Sequence, residues 1–181
     1  YVLSRMAARS LADCTTIAAA GAIPPLVMLL ADGACIGRPQ ARAAAALADL
    51  ARAGDSQTPI VRAGGIALVM RMLDAAGLDK EQVSACAIIS ILAANPKHKA
   101  TIAVESGLPK LLALLRLVPG PMTHAILSHV ASALWHLASS FDNRAAVIRK
   151  GGIPPLVGIL TCGSAGAAES SCAVLGILAR E

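Results

Sequence analysis

Two histidines seven residues apart have a spacing that could support metal chemistry. His129 and His136 lie in a stretch with helical periodicity, and this interval brings both imidazoles to one face of a helix. A zinc site needs three or four ligands, however, and no cysteine or acid stands nearby at motif spacing. The pattern predicts ordinary surface histidines and no metal site.

Other catalytic signatures are weak or missing. Residues 163–171 read GSAGAAESS, which resembles a phosphate-binding loop but lacks the Gly-Lys-[Ser/Thr] ending and follows a helix instead of a strand. A flexible turn is the better interpretation. No Gly-x-Ser-x-Gly, His-Glu-x-x-His or paired-carboxylate arrangement occurs. We therefore predict that the protein is not an enzyme and uses no cofactor.

The five cysteines form an odd set without a Cys-x-x-Cys pair, which indicates reduced, mostly buried thiols and an intracellular, reducing compartment. Cytoplasm is favoured, with nucleus, cilium and organelle left open. Cys86 and Cys172 fall in apolar helical stretches, where a thiol behaves as a small hydrophobe, so both are expected in the core. The opening YVLSRMAARSL shows neither an initiator Met nor a signal peptide, and it suggests a segment of a longer protein.

Composition favours a helical fold. Of the 181 residues 56% are hydrophobic and only 2% aromatic, so the core consists of Ala, Leu, Ile and Val, as in closely packed helices. Mean hydropathy is +0.66, and residues 14–31 and 151–168 carry no charge. Pro24-Pro25 and Pro154-Pro155 interrupt both stretches, so no membrane span is predicted.

The net charge of +5 leaves nucleic-acid binding as an alternative. Almost no aromatic residue is available to stack bases, and the cations are dispersed over many turns, which indicates solvated helix ends. The residues concerned are Arg38, Arg62, Lys97, Lys99, Lys110, Arg149 and Lys150.

Two sequence motifs recur along the chain with the same period. GAIPPLVMLL, GGIALVMRML, SGLPKLLALL and GGIPPLVGIL place their anchors Ile23, Ile66, Leu108 and Ile153 at intervals of 43, 42 and 45 residues. ALADLA, IISILA, ALWHLA and VLGILA keep the same period, and AARSLA ending at Ala12 is a partial fifth copy. Periods of roughly 40 to 47 residues indicate an α-solenoid.

Each unit is predicted to contain a short helix, a Gly-Pro corner, a longer helix, a turn and a third, Ala-rich helix. We expect residues 1–12 to end a preceding repeat. Four repeats then follow at 13–53, 54–95, 96–140 and 141–181, together one solenoid domain. Apolar edges are expected at Leu3–Leu11 and Val174–Leu178, covered by further repeats or by a partner.

The recurring motifs resemble those of the armadillo-repeat family, and the resemblance covers nearly the whole chain. The resemblance implies an all-α, right-handed solenoid of about four three-helix repeats, mainly a eukaryotic architecture, whose third helices line a peptide-binding groove. Peptide-binding members carry an Asn before the Leu-Ala of helix 3, and this chain has Ser10, Asp49, Ile91, His136 and Ile177 there. A Trp one turn earlier is replaced by Ala45, Ala87, Ser132 and Ala173, so nuclear localisation signals are not the expected ligands.

Helical projection of the third helices predicts which residues share the groove face. We expect contacts with a partner from Arg42, Asp49, Arg52, Ser84, Ile91, Asn95, His129, Trp135, His136 and Ile177, with Ser140, Ser170 and Glu181 on the same face. A solvated face without peptide specificity is the alternative. The functional expectation is a protein-binding scaffold, either for a peptide segment or as a subunit of a large assembly, with a nucleic-acid-binding solenoid as the second hypothesis.

Overall fold

The described part of the chain is entirely α-helical. The computed structural model describes residues 11–31, 38–74, 80–104, 107–117 and 123–180, and no strand occurs among them. The described residues form twelve helices: α1 Leu11–Ala19, α2 Ile23–Ala31, α3 Arg38–Ala51, α4 Gly54–Arg62, α5 Gly65–Met72, α6 Lys80–Ala94, α7 Pro96–Val104, α8 Gly107–Leu114, α9 His124–Leu137, α10 Phe141–Arg149, α11 Ile153–Cys162 and α12 Ala165–Leu178. This is the all-α class that the sequence predicts.

The helices follow one another as four triplets, α1–α3, α4–α6, α7–α9 and α10–α12. In each triplet the first two helices have 8 to 10 residues and the third has 14 or 15. The prediction of a second helix longer than the first is wrong in the second triplet, where α4 has nine residues and α5 eight, whereas in the fourth triplet α11 is one residue longer than α10. The apolar stripe of the second helix spans only two turns, as Ile23, Val27 and Leu30 show in α2, which is all that this helix buries.

Glycines reverse the chain between the first and second helices. Gly21, Gly64 and Gly151 have φ of 78°, 79° and 70°, the left-handed conformation that an L side chain adopts only with strain. At the last of these corners the Gly151 N–H donates to Ile148 O and the Gly152 N–H to Val147 O, which is a Schellman ending of α10. The predicted Gly-out corners are confirmed at these three positions, and the corresponding Ser106 lies outside the described residues.

The chain folds as two compact units, residues 1–92 and residues 93–181. In the first unit α2 packs against α3 and against α4 and α5 of the following triplet, while α1 packs against α3 and α4. In the second unit α9 packs against α7, α8 and α12, α11 packs against α12, and α10 packs against α8. Ala, Leu, Ile and Val side chains fill both cores, as the composition predicts.

Side chains from the following helix cap the carboxyl ends of two third helices. In the first unit Gln57 Nε2 of α4 donates to Ala51 O at 3.0 Å. In the second unit Asn143 Nδ2 of α10 donates to Leu137 O at 2.9 Å, and Arg144 Nη1 to Ala138 O at 3.3 Å. These bonds satisfy carbonyl groups that have no partner within their own helix.

Two expectations about burial need correction. Cys14 and Cys86 are buried, but Cys172 is exposed although it lies in a third helix. Val174 and Leu178, expected at an apolar edge, lie in the core because α12 packs against both α9 and α11. The other expected edge, Leu3–Leu11, has no described side chain.

Among the described residues, no single helix is both long and apolar enough to cross a membrane. Residues Ala12–Ala19 and Ile23–Ala31 satisfy the length and hydropathy criteria only as a pair, and they meet at a bend of 78°.

Candidate functional site

One position of the third helix is half-buried in all four triplets. This position directly precedes the second Leu of the third-helix motif (ALADLA in the first triplet). Its residues are Asp49, Ile91, His136 and Ile177. The Leu that follows is buried each time, which directs this neighbour to the rim of the core. Seven residues earlier on the same face stand Arg42, which is exposed, and Ser84, His129 and Ser170, which are half-buried.

In the first unit, packing of α1 against α3 determines the surroundings of Asp49. Cys14 Sγ of α1 donates to the backbone oxygen of Asp49 at 3.6 Å. Burial raises the pKa of the Cys14 thiol, the carboxylates of Asp49 and Asp13 raise it further, and Arg52 acts in the opposite direction. The charges of Asp49 and Arg52 therefore both act on the Cys14 thiol, which stays protonated at neutral pH.

Two predicted contact residues on and after α6 use their polar atoms locally. Ser84 Oγ donates to Lys80 O, one turn earlier in the same helix, at 3.0 Å. Asn95 Oδ1 accepts the Lys97 N–H at 3.1 Å and caps the start of α7. Ile91 is half-buried and offers an apolar contact.

A group of polar and aromatic side chains lies at the carboxyl end of α9 and in the turn that follows it. The rings of Trp135 and His136 have centroids 4.7 Å apart with an interplanar angle of 36°, and Trp135 is 42% exposed. Lys99 Nζ of α7 donates to Ser139 Oγ at 2.9 Å, and Ser139 Oγ donates to His136 O at 2.9 Å. Burial and then the Lys99 ammonium lower the pKa of His136, which keeps its imidazole neutral at pH 7.

Lys99 and Ser139 are absent from the residues predicted to line the groove, although Lys99 is among the cations of the nucleic-acid alternative. They are 40 residues apart in sequence, so no local pattern connects them. A signal does exist in the register of the repeat, because Lys99 and Cys14 are each the fourth residue of a first helix. Cys14 reaches the third helix of its own triplet, and Lys99 reaches the turn that follows the third helix of its triplet. The remaining predicted residues of the fourth triplet are Ser170 and Ile177, whereas Glu181 lies outside the described residues.

The other chemical candidates have structural roles. The described residues contain no group of three His, Cys, Asp or Glu side chains placed to hold a metal ion. Burial raises the pKa of Cys86 to about 12. The stretch GSAGAAESS is not a flexible turn, because Ser164 Oγ accepts the Ala167 N–H at 3.4 Å and caps α12, which contains residues 165–171.

Consecutive three-helix units with capped corners and a recurring surface position define a helical-repeat protein. The family model for the Armadillo/beta-catenin-like repeat matches residues 140–180. Among solved structures, a designed armadillo repeat protein superposes with a TM-score of 0.84 at 23% identity, covering 98% of this chain and 73% of that one. The fold of this chain is the armadillo solenoid, and its residues 140–180 match the armadillo repeat model.

Further structural matches agree on the fold. Computationally designed armadillo repeat proteins for modular peptide recognition have a TM-score of 0.84 at 24% identity, covering 97% of this chain and 72% of theirs. A designed armadillo repeat protein in complex with the peptide (KR)4 has a TM-score of 0.82 at 22% identity, with coverage of 97% and 72%. A search of curated protein sequences found no match.

Proposed function

We propose that this chain is a non-catalytic scaffold that holds an extended protein segment against its third helices. The observation that carries the proposal is the half-buried row Asp49, Ile91, His136 and Ile177, one residue per triplet. Side chains at the rim of a core can contact a ligand without unfolding anything beneath them. One such residue recurs in every triplet of the sequence, which suits a ligand whose own side chains recur regularly, as in an extended peptide.

The designed relatives support peptides as the ligand class, since one is described for modular peptide recognition and another is in complex with (KR)4. The chemistry of this row differs from what a basic peptide needs. Asp49 is its only acid, and cations accompany it at Arg42, Arg52 and Lys99. We therefore propose a ligand with apolar side chains opposite Ile91 and Ile177 and neutral or acidic groups opposite the cations.

The test compares a row variant with a charge-matched control. The row variant carries Asp49→Lys, Arg52→Glu, Ile91→Glu and His136→Glu. The control carries Asp74→Lys, Arg71→Glu, Ala113→Glu and Ala100→Glu at exposed positions outside the third helices, with the same net change in charge. Peptides selected on the wild type from a random display library are synthesised, and their affinities for all three proteins are measured by fluorescence anisotropy, with (KR)4 as a non-ligand reference.

A loss of affinity of at least tenfold in the row variant, with the control at the wild-type value, is the expected result. Equal affinities for the row variant and the wild type would remove the third helices from the binding surface. Binding of a nucleic acid that weakens steeply with salt, with a salt dependence that charge reversal at Lys97, Lys99, Arg149 and Lys150 flattens, would favour the nucleic-acid hypothesis.

A further inference from the structure

The positive charge of the chain is concentrated between residues 93 and 150. This stretch holds seven Lys and Arg residues against two acids, Glu105 and Asp142, so it accounts for the whole net charge of +5. The cations are Lys97, Lys99, Lys110, Arg116, Arg144, Arg149 and Lys150. A surface of this composition attracts anionic ligands and repels cationic ones.

One of these cations reaches the row on the third helices from a different helix. Lys99 belongs to α7, the first helix of its triplet, and it is half-buried. Its Nζ donates to Ser139 Oγ at 2.9 Å, and Ser139 Oγ donates to His136 O at 2.9 Å. Burial and then the Lys99 ammonium lower the pKa of His136. The ammonium therefore lies beside His136, the row residue of the third triplet.

A second cation approaches the same turn from the following helix. Arg144 of α10 donates through Nη1 to Ala138 O at 3.3 Å and to Ser139 O at 3.4 Å, and its guanidinium carbon lies 5.6 Å from the centroid of the Phe141 ring. These contacts engage the guanidinium in holding the turn. Among the described residues the Lys99 ammonium has one hydrogen-bond partner, Ser139 Oγ. An ammonium carries three N–H donors, so two of them remain for a ligand.

Two of the three aromatic residues of the chain flank this turn. Trp135 and Phe141 are 42% and 64% exposed, and the Trp135 ring contacts the ring of His136. Exposed aromatic rings often supply much of the binding energy of an interface. We call the surface formed by Lys99, Trp135, His136, Ser139 and Phe141 the Lys99 corner.

We propose that the Lys99 corner binds the carboxylate of an aspartate or glutamate in the segment held by the third helices, with an apolar side chain of that segment against Trp135. This inference rests on the proposed function and adds to it the residue that recognises the acid, which comes from a first helix. The ammonium supplies a charge-assisted hydrogen bond to the carboxylate. Because Lys99 and His136 are half-buried, solvent screens this ion pair less than a pair of fully exposed side chains.

A carboxylate suits the Lys99 corner better than a phosphate does. A phosphate monoester carries close to two negative charges and three strong acceptor oxygens, and Arg is the residue that binds such oxygens in pairs. The Arg144 guanidinium is already hydrogen-bonded to two backbone carbonyls, and Asp142 adds a negative charge next to Phe141 in the sequence. The single charge of the Lys99 ammonium matches the single charge of a carboxylate.

The test uses the peptides selected on the wild type. Each acidic residue of a peptide is replaced in turn by its amide, Asp by Asn or Glu by Gln, and in a third form by phosphoserine. Affinities are measured for the wild type, Lys99→Met and Lys97→Met. Lys97 provides the matched control because it is an exposed lysine two residues earlier in α7, and its replacement removes the same charge. Circular dichroism of both variants should match the wild type.

We expect Lys99→Met to weaken binding of the acidic peptide by about tenfold or more and to leave the affinity for one amide form unchanged. Lys97→Met should leave the affinities for both forms close to the wild-type values. In a Lys99→Glu chain, a peptide with Lys in place of the recognised acid should recover part of the lost affinity. Such a recovery reports a direct contact between the two side chains.

The titration of His136 measures independently where the carboxylate binds. Its imidazole signal is followed by NMR and identified with His136→Gln. The acidic peptide should raise the pKa of His136, because a nearby anion favours the imidazolium and offsets the effect of Lys99. The amide form that binds independently of Lys99 should raise it less. Lys99→Met should raise the pKa of His136 without any peptide.

The outcomes separate this inference from the proposed function. Peptides that lose affinity in the row variant but contain no acid, or keep their affinity in Lys99→Met, would overturn the inference and leave the proposed function intact. A phosphoserine form that binds more tightly than the acidic form, and depends on Lys99, would assign the Lys99 corner to phosphorylated ligands and would also refute it. If neither the row variant nor Lys99→Met changes the affinity, both proposals fail.

Discussion

A buried histidine without a side-chain partner makes stability depend on pH. His98 is 5% exposed, and its Nε2 has no hydrogen-bond partner among the described residues. Burial, and then the neighbouring Lys97 ammonium, lower the pKa of His98. A lowered pKa in the folded state means that the unfolded chain takes up the proton first as the pH falls. The stabilising contribution is therefore complete above the ordinary histidine pKa and is lost as the pH falls toward the folded value.

We predict that His98→Leu reduces the loss of stability between pH 7.5 and pH 5. At pH 7.5 the variant should be within about 1 kcal/mol of the wild type or more stable, because an apolar side chain of similar size replaces a buried polar atom that makes no hydrogen bond. Urea unfolding at both pH values measures the difference. His136 has its pKa lowered in the same direction and remains in the variant, so part of the pH dependence should persist.

Lys97→Met provides the control for the electrostatic part of this effect. Removing the ammonium should raise the pKa of His98 toward its ordinary value, although burial continues to hold it down. An unchanged dependence of stability on pH in His98→Leu would assign the acid sensitivity to other groups.

The corner between α10 and α11 depends on two glycines for different reasons. Gly151 has a positive φ, whereas a Cβ on Gly152 would lie 2.7 Å from Val147 Cγ1 and 3.0 Å from Val147 O. Position 151 requires the left-handed backbone conformation, and position 152 requires the space that a side chain would fill. Both requirements come from α10 ending and α11 beginning within a few residues.

We predict that Gly152→Ala lowers the free energy of unfolding by about 1–3 kcal/mol, because the added methyl forces the packed helices apart. Gly151→Ala should cost roughly 1–2 kcal/mol through backbone strain alone. Gly158→Ala is the matched control inside α11, where no atom lies within 4 Å of a built Cβ. It should stabilise the chain by about 0.5–1 kcal/mol through helix propensity, and denaturant unfolding of the three variants would show the order.

Triplets within one unit depend on one another for burial. In the second unit the stripe Leu108, Leu112 and Leu115 is buried, and α8 and α9 pack against α10 and α12 respectively. A triplet lacking its neighbour therefore exposes apolar surface that the folded array covers. Stability in such an array is a sum over units and their interfaces.

We predict that deleting residues 141–181 lowers the melting temperature of the remainder and promotes aggregation. The deletion uncovers the α8 stripe and the face of α9 that packs on α12, so hydrophobic dye binding should rise as well. Scanning calorimetry and light scattering measure both effects. An unchanged melting temperature with no aggregation would show that α7–α9 do not need the fourth triplet.

The sequence by itself determined the helical class, the period and the corners. A stripe of apolar residues at i, i+4 and i+7 predicts a buried helix face. Gly in the left-handed region ends one helix, and the Pro-containing motif starts the next. These properties follow from backbone sterics and helical geometry within a few residues, so they can be predicted locally. The row Asp49, Ile91, His136 and Ile177 could be placed, one residue per third helix, on the equivalent face of each helix by the same reasoning, although its role in binding stays a prediction.

Only the tertiary structure decided in which copies of a repeated motif the apolar side chains are buried. GAIPPLVMLL and GGIPPLVGIL differ at few positions, yet Ile23 is 2% exposed and Ile153 is 39% exposed. Burial depends on the neighbouring helices, and the sequence of the motif contains no information about which helices pack against it. The same reason explains why Cys172 is exposed while Cys86 is buried. The Lys99–Ser139 hydrogen bond joins residues 40 apart, so no local pattern predicts it, and only the register of the repeat aligns Lys99 with Cys14.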